Sequence, residues 1–258
     1  MAIADFGLDA FSLSGKRALV TGGNSGLGRA FSVALARAGA DVMVPAHIGD
    51  DGTTEALVTE CGVRYEFLRA DLTATGECER VVTHCVETLG GLDILVNSAG
   101  ICLSAASEDF DRAQWDPMLA VNLTAGFEMA RHAGIHMRSV GGGKIINIAS
   151  LFSYLGGRTS PAYAATKAGI VGFTRAYCDD LAEFGIQVNA IAPGYFVTAL
   201  TTTTRAGEDT NRRVLEHIPA GRWGDPGDLM GAVVFLASRA SDYVNGQVLV
   251  VDGGYLVR

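Results

Sequence analysis

Arg17-Ala18-Leu19-Val20-Thr21-Gly22-Gly23-Asn24-Ser25-Gly26-Leu27-Gly28 is the stretch whose reading decides the fold. Ala18–Val20 is apolar without polar alternation and is bounded by glycines, which predicts a buried strand over 17–21. A helical pattern over 26–38 follows at once and stops at Gly39. A strand that turns through glycines into a helix can hold a pyrophosphate. Its backbone amides are reachable because no Cβ stands in front, and the helix start is partly positive. Gly22, Asn24, Ser25, Gly26, Leu27 and Gly28 are the candidate contacts. Glycines alone are weak evidence, but here they follow a TGxxxGxG spacing at a strand–helix junction.

Outward from that turn the pattern repeats. Apolar runs at 41–45, 65–68, 93–96, 144–148, 187–191 and 247–251 predict six more strands. Helical stretches around 76–88, 116–138, 161–184 and 228–238 separate them. Strands rich in Val and Ile without alternation are covered on both faces. Strand–helix–strand repetition then implies an α/β fold, a doubly wound parallel sheet of the Rossmann kind with helices on both faces. No linker, repeat or low-complexity tract interrupts 1–258, so we expect a single dinucleotide-binding and catalytic domain.

Composition narrows the function. A net charge of −8 argues against nucleic acid or an anionic membrane as partner. The opening residues lack a basic stretch followed by an apolar one, and no apolar run is long enough to cross a bilayer. The five cysteines are scattered with no CxxC pair, as for reduced thiols in a cytoplasmic protein.

In such sheets ligands sit beyond the carboxyl ends of the strands, where strand order reverses. Asp71-Leu72 follows the third predicted strand, where the Asp side chain could take the adenine amino group or simply cap a helix. Asn97-Ser98-Ala99-Gly100 follows the fourth. Its small residues would let adenosine and ribose pass close to the backbone, while Asn97 could brace the sheet. On the helix over 161–184, Tyr163 and Lys167 are four apart and share a face. An unperturbed phenol titrates near pH ~10, and a cation nearby favours its ionised form. Tyr163 could then give or take the proton of a carbonyl or alcohol oxygen. Ser150, at the end of the strand over 144–148, could hold that oxygen. The plain alternative is a strand-end cap and a packed aromatic.

Together these residues resemble the short-chain dehydrogenase/reductase family over nearly the whole chain. The resemblance rests on TGGNSGLG (21–28), Asp71-Leu72, NSAG (97–100), Val121-Asn122, Ser150, YAATK (163–167) and PGYFVT (193–198). Ser150 also stands thirteen positions before Tyr163, as the family's serine does. The resemblance implies a tetrad of Asn122, Ser150, Tyr163 and Lys167. Lys167 would also bind the nicotinamide ribose, and Pro193, Gly194, Phe196 and Thr198 would contact the nicotinamide amide. It also implies a homo-oligomer, a tetramer by preference. IPAGRWGDPGDLMG (218–231), SDYVNG (241–246) and VDGGYLVR (251–258) are similar to the 2-deoxy-D-gluconate 3-dehydrogenase branch, which handles keto-deoxy sugar acids. The expected activity is hydride transfer between a nicotinamide cofactor and a secondary alcohol or ketone, sugar acids included. Competing readings are a reductase of a non-sugar ketone, an idle dinucleotide sensor, and an epimerase of the longer relatives.

Some positions depart from the pattern. Ala46 stands where an NAD-preferring relative keeps an acid, and no strong base is placed for an extra phosphate. NAD is therefore expected, with NADP left open. His132 and His136 are four apart but lack a third ligand, so no metal is expected. Thr201–Thr204 reads as part of a mobile lid. Arg158, Arg205, Arg212 or Arg213 could pair with a substrate carboxylate, although a solvated helix face or loop suits each equally.

Overall fold

The computed structural model describes residues 7–258. Seven strands run β1 (Arg17–Thr21), β2 (Asp41–Ala46), β3 (Tyr65–Arg69), β4 (Ile94–Asn97), β5 (Gly143–Ile148), β6 (Ile186–Pro193) and β7 (Val248–Val251). They form one sheet in the order β3-β2-β1-β4-β5-β6-β7, and every pairing is parallel. Strand order reverses between β1 and β4, whose register pairs Thr21 with Asn97. Both segments singled out for cofactor contact therefore leave the sheet side by side at the switch point.

Alternate residues of each central strand enter opposite layers. Val20, Val42, Val44 and Val96 pack with Phe31 and Leu35 of α1 (Gly26–Arg37), beside α2 (Thr53–Thr59). Leu19, Met43 and Leu95 face α3 (Glu77–Leu89), and lie in the same cluster as Met129 and Met137. That is period-2 geometry with both faces apolar, which is why these strands show no alternation. Helix α1 ends through Gly39, at φ +106°, with Ala40 N–H donating to Leu35 O at 3.0 Å and Gly39 N–H to Ala36 O at 2.9 Å. This is the double bond pattern of a glycine-terminated helix.

The long helix expected over 116–138 is built differently. It opens earlier, as α4 (Arg112–Met118), with Asp111 accepting from Ala113 N–H and Gln114 closing a capping box. A π-helical stretch, Leu119–Thr124, then leads into α5 (Ala125–Val140). Helix α6 (Pro161–Leu181) carries Tyr163 and Lys167. The segment read as a loose lid is helical, with a 3₁₀ turn at Ala199–Thr201, α7 (Thr202–Ala206) and α8 (Glu208–His217). Local polar bonds order it. Thr201 donates to Phe196 O at 2.7 Å, and Arg205 donates to Thr198 O at 3.1 Å. Helix α9 (Met230–Ala237) precedes β7. No described helix is long and apolar enough to cross a membrane.

Candidate active site

The glycine turn is shaped by packing on one side and openness on the other. Thr21 Oγ1 accepts from the N–H groups of Ser98 and Ala99, both at 3.0 Å, and so clamps the end of β4 against β1. Gly22, at φ +64°, leaves only 3.2 Å between a would-be Cβ and Ala99 Cα. At Gly28 a Cβ would lie 2.3 Å from Gly22 O, so α1 presses directly on the turn. Gly26, at φ +51°, meets nothing within 4 Å and faces open space. Helix α1 starts with no side-chain cap on Ser25 and no acid in its first turn. Its unpaired N–H groups thus face that open side, which fits a pyrophosphate.

Asn24 is spent differently from the sequence expectation. It is buried, and its amide donates to Ile48 O at 3.1 Å and Gly49 O at 3.3 Å, stitching the turn to the loop after β2. Leu27 packs against the α1 core and Ser25 stays exposed. Arg29, unremarked in the sequence, completes the stitch. It donates to Asn24 O at 2.6 Å and Thr54 Oγ1 at 2.9 Å, and pairs with Asp51 at 2.8 Å. Backbone donation from Thr53, then Arg29, holds Asp51 below the usual carboxylate range. Asp50 accepts from the Tyr65 hydroxyl. Burial first, and Asp50 second, push that phenol upward. Ala46 is buried at the end of β2 while His47 is exposed, and Arg69, the register partner of Ala46 at the end of β3, is exposed and in no ion pair among the described residues. Asp71 is exposed and turns one oxygen back to Thr73, accepting from its N–H at 3.0 Å and its hydroxyl at 2.7 Å. The other oxygen is free among the described residues. Leu72 packs below it, against the α3 layer.

Past β4, Asn97 braces the sheet, donating to Asn147 Oδ1 at 2.9 Å and Gly126 O at 3.0 Å, while its own Oδ1 has no partner. Gly100 lies where a Cβ would stand 3.3 Å from Asn122 Oδ1 and 3.9 Å from Lys167 Nζ. The widened π turn points Asn122 inward. It accepts from Ile101 N–H and donates to Ile101 O, both at 2.8 Å.

Ser150, Tyr163 and Lys167 meet at the carboxyl end of β5. The Ser150 hydroxyl accepts from Phe152 N–H at 3.2 Å and faces the Tyr163 phenol, which it pulls toward ionisation. Tyr163 meets the edge of Phe152, with ring centroids 5.8 Å apart at 79°. Lys167 is buried, with Nζ 5.5 Å from the Tyr163 ring centre and donating to Ile148 O at 2.7 Å. Burial pushes the phenol up, against the pull of Ser150, and brings the Lys167 ammonium down to about 8. Burial therefore outweighs the lowering of Tyr163 that the charge of Lys167 alone was expected to give.

The 193–198 segment closes the far side. Gly194 lets the chain pass Asp252, where a Cβ would come within 2.6 Å of its Cα. Phe196 is buried beside Gly224, and the Phe196 and Thr198 carbonyls are held by Thr201 and Arg205. Of the four arginines, Arg212 pairs with Asp209 at 2.6 Å and Arg213 donates to Asp209 O at 3.3 Å. Arg158 is exposed. Arg205 is half-buried and bonds only neutral oxygens. The roles of Arg29 and Asn147 have no mark in their local sequence, and the clamp made by Thr21, though it opens the glycine motif, appears only when strands and loops meet.

A family model described as Enoyl-(Acyl carrier protein) reductase matches residues 22–256. The chain belongs to the short-chain dehydrogenase/reductase family. It is 57% identical over 253 residues to the uncharacterized oxidoreductase YgcW of Escherichia coli K12, covering 98% of this chain and 97% of that one. It is 47% identical over 250 residues to the 2-dehydro-3-deoxy-D-gluconate 5-dehydrogenase of Bacillus subtilis 168, covering 97% and 98%. A gluconate 5-dehydrogenase from Burkholderia cenocepacia, solved with NADP and tartrate, superposes with TM-score 0.90 at 37% identity, covering 97% of this chain and 99% of that one. This short-chain dehydrogenase/reductase is thus an NAD(P)-dependent oxidoreductase that interconverts alcohol and ketone.

Proposed function

We propose that this chain, acting as one domain, oxidises or reduces a secondary hydroxyl or ketone of a sugar acid, with Tyr163 as the proton-transferring residue. The convergence of Tyr163, Lys167, Ser150 and Asn122 at the switch-point end of the sheet carries this reading. The glycine turn and the 97–100 segment would hold the nicotinamide cofactor, which would supply or accept the hydride. Ser150 holds the substrate oxygen, and Tyr163 donates its proton to that oxygen in reduction or removes it in oxidation. Lys167 holds positive charge beside the phenol and bonds the cofactor ribose. Asn122 anchors the π turn to Ile101 and, across Gly100, borders Lys167. The Pro193–Thr198 segment, kept in place by Thr201 and Arg205, receives the amide end.

NAD is the proposed preference, since Arg29 is already engaged by Asp51; Arg69, paired with Ala46 across the strands, is the cation that would serve an extra phosphate if NADP were used instead. The half-buried Arg205, which makes no acidic pair, is the best placed of the arginines for a substrate carboxylate. The five cysteines are unpaired, as suits a cytoplasmic protein, and the exposed Phe127, Ile135 and Val140 of α5 suit a homotetramer.

The test is reduced-nicotinamide absorbance with NADH or NADPH against keto sugar acids, ketoses and hydrophobic ketones. Wild type should turn over a keto sugar acid, and Tyr163→Phe should lose at least about a hundredfold in kcat while still binding cofactor. Cofactor binding with no turnover on any substrate would leave a sensor instead.

A further inference from the structure

Between Ser150 and Tyr163 the chain makes a 3₁₀ turn (Leu151–Ser153) and then a loop containing Gly156, Gly157 and Thr159, the latter at φ +65°. Two glycines and a left-handed threonine give the covalent path little power to fix where β5 ends relative to α6. Something across the gap must do so. We propose that Ser153 is a positioning residue whose single hydroxyl ties the backbone of Ser150 to the backbone of Lys167. This rests on the catalytic reading above.

The geometry is direct. Ser153 Oγ donates to Lys167 O at 2.7 Å and accepts from Ser150 N–H at 3.3 Å. The acceptor half is an ordinary capping contact for the 3₁₀ turn, and a cap would need nothing more. The donor half is different. Lys167 lies inside α6, where helical geometry already supplies its carbonyl with a donor one turn on. The hydroxyl uses the carbonyl's second lone pair and adds nothing the helix requires. What it adds is a fixed separation between the strand end that carries the Ser150 hydroxyl and the helix that carries Tyr163 and Lys167. Phe152, in the same turn, packs edge-on against Tyr163 and leaves that helix face no slack.

The chemistry follows. The groups facing the phenol are Ser150 from β5, Lys167 from α6 and Cys102 from the segment after β4. Ser150 is the group that pulls the phenol toward ionisation against its burial. A drift of Ser150 weakens that pull and misplaces the substrate oxygen, and misplacement by about 1 Å is worth up to about a hundredfold in rate. Binding of the dinucleotide at the distant glycine turn is untouched.

The experiment compares full-length wild type, Ser153→Ala and Ser153→Thr, the last retaining both hydroxyl bonds. Kinetics use the keto sugar acid that wild type turns over best, across pH. Ser153→Ala should lose about tenfold in kcat with cofactor KM changed less than about twofold, and its alcohol-oxidation profile should shift to higher pH. Ser153→Thr should recover to within about threefold of wild type. Unchanged kcat in Ser153→Ala overturns the proposal, and so does a parallel loss in kcat, cofactor KM and melting temperature, which marks a structural cap alone. A crystal structure of Ser153→Ala reads the tie without turnover: the Ser150–Tyr163 hydroxyl separation should open relative to wild type, and an unchanged separation refutes it. Wild type idle on every substrate would instead overturn the catalytic reading while leaving the crystallographic result to judge the tie.

Discussion

Replacing Lys167 with Met should abolish activity and yet make the protein without cofactor more stable at neutral pH. Lys167 is buried, and desolvation brings its ammonium from an ordinary 10.5 to about 8. At roughly 1.4 kcal/mol per pH unit, holding that charge inside costs about 3 kcal/mol. Met removes the cost but also the bond to Ile148 O, and an unsatisfied buried carbonyl forfeits about 1–2 kcal/mol. The expected net gain is about 1–2 kcal/mol below pH 8, or a few degrees in Tm for a chain of this size. The sign reverses what a paired lysine would show. Between pH about 8 and 10.5 the unfolded chain holds a proton that the folded chain has released, so wild-type stability rises with pH there. The advantage of Lys167→Met is full below pH 8 and shrinks through that window. Thermal melts of both proteins from pH 6.5 to 10, without cofactor, measure it. A variant less stable than wild type at pH 7, or a difference independent of pH, would refute the reasoning.

Gly28→Ala puts a Cβ 2.3 Å from Gly22 O, a backbone atom that cannot step aside, so the turn must shift. Dinucleotide affinity, read by fluorescence titration, should fall at least about tenfold with the fold retained. Arg205→Gln should raise KM for keto sugar acids about tenfold or more while sparing uncharged ketones, in steady-state assays of both substrate sets. Asp93→Ala removes the acceptor for Arg17 N–H at 2.9 Å and Arg17 Nε at 2.6 Å, and should cost about 2 kcal/mol in urea unfolding. Arg17 and Lys16 hold the Asp93 carboxyl below its usual range despite burial, so its stabilisation is present above pH ~4 and is lost as pH falls further.

Strands were legible because they are buried on both faces, and their apolar runs survive without any partner in view. The predicted bounds of β1 match the fold, and those of β2 and β5 fall one residue short. Helices with little apolar patterning were not legible. Helix α8 buries only Val214, and α7 buries nothing, so neither carries enough apolar residues to stand out from a polar loop. Asp116-Pro117 reads as a helix start, yet the cap is Asp111, which needs Gln114 folded back on it. Within the site, Tyr163 and Lys167 could be paired by spacing alone, since one helix carries both. The tasks of Asn24, Arg29 and Ser153 could not, because each bonds a group on an element distant in sequence.

The six residues Leu119–Thr124 wind wider than the helices on either side. Such a turn holds one residue more than the regular winding would. Removing a single residue there should therefore heal the helix rather than break it, leaving the stretches on either side close to their present relative orientation while changing where the residues of the turn itself point. Asn122 would leave the cleft, and Ile101 would lose both of its bonds to that side chain. Insertions and deletions are usually judged by whether a fold survives them. Here the shortened chain would be the more regular one, and the irregularity is what brings an amide to the reacting groups.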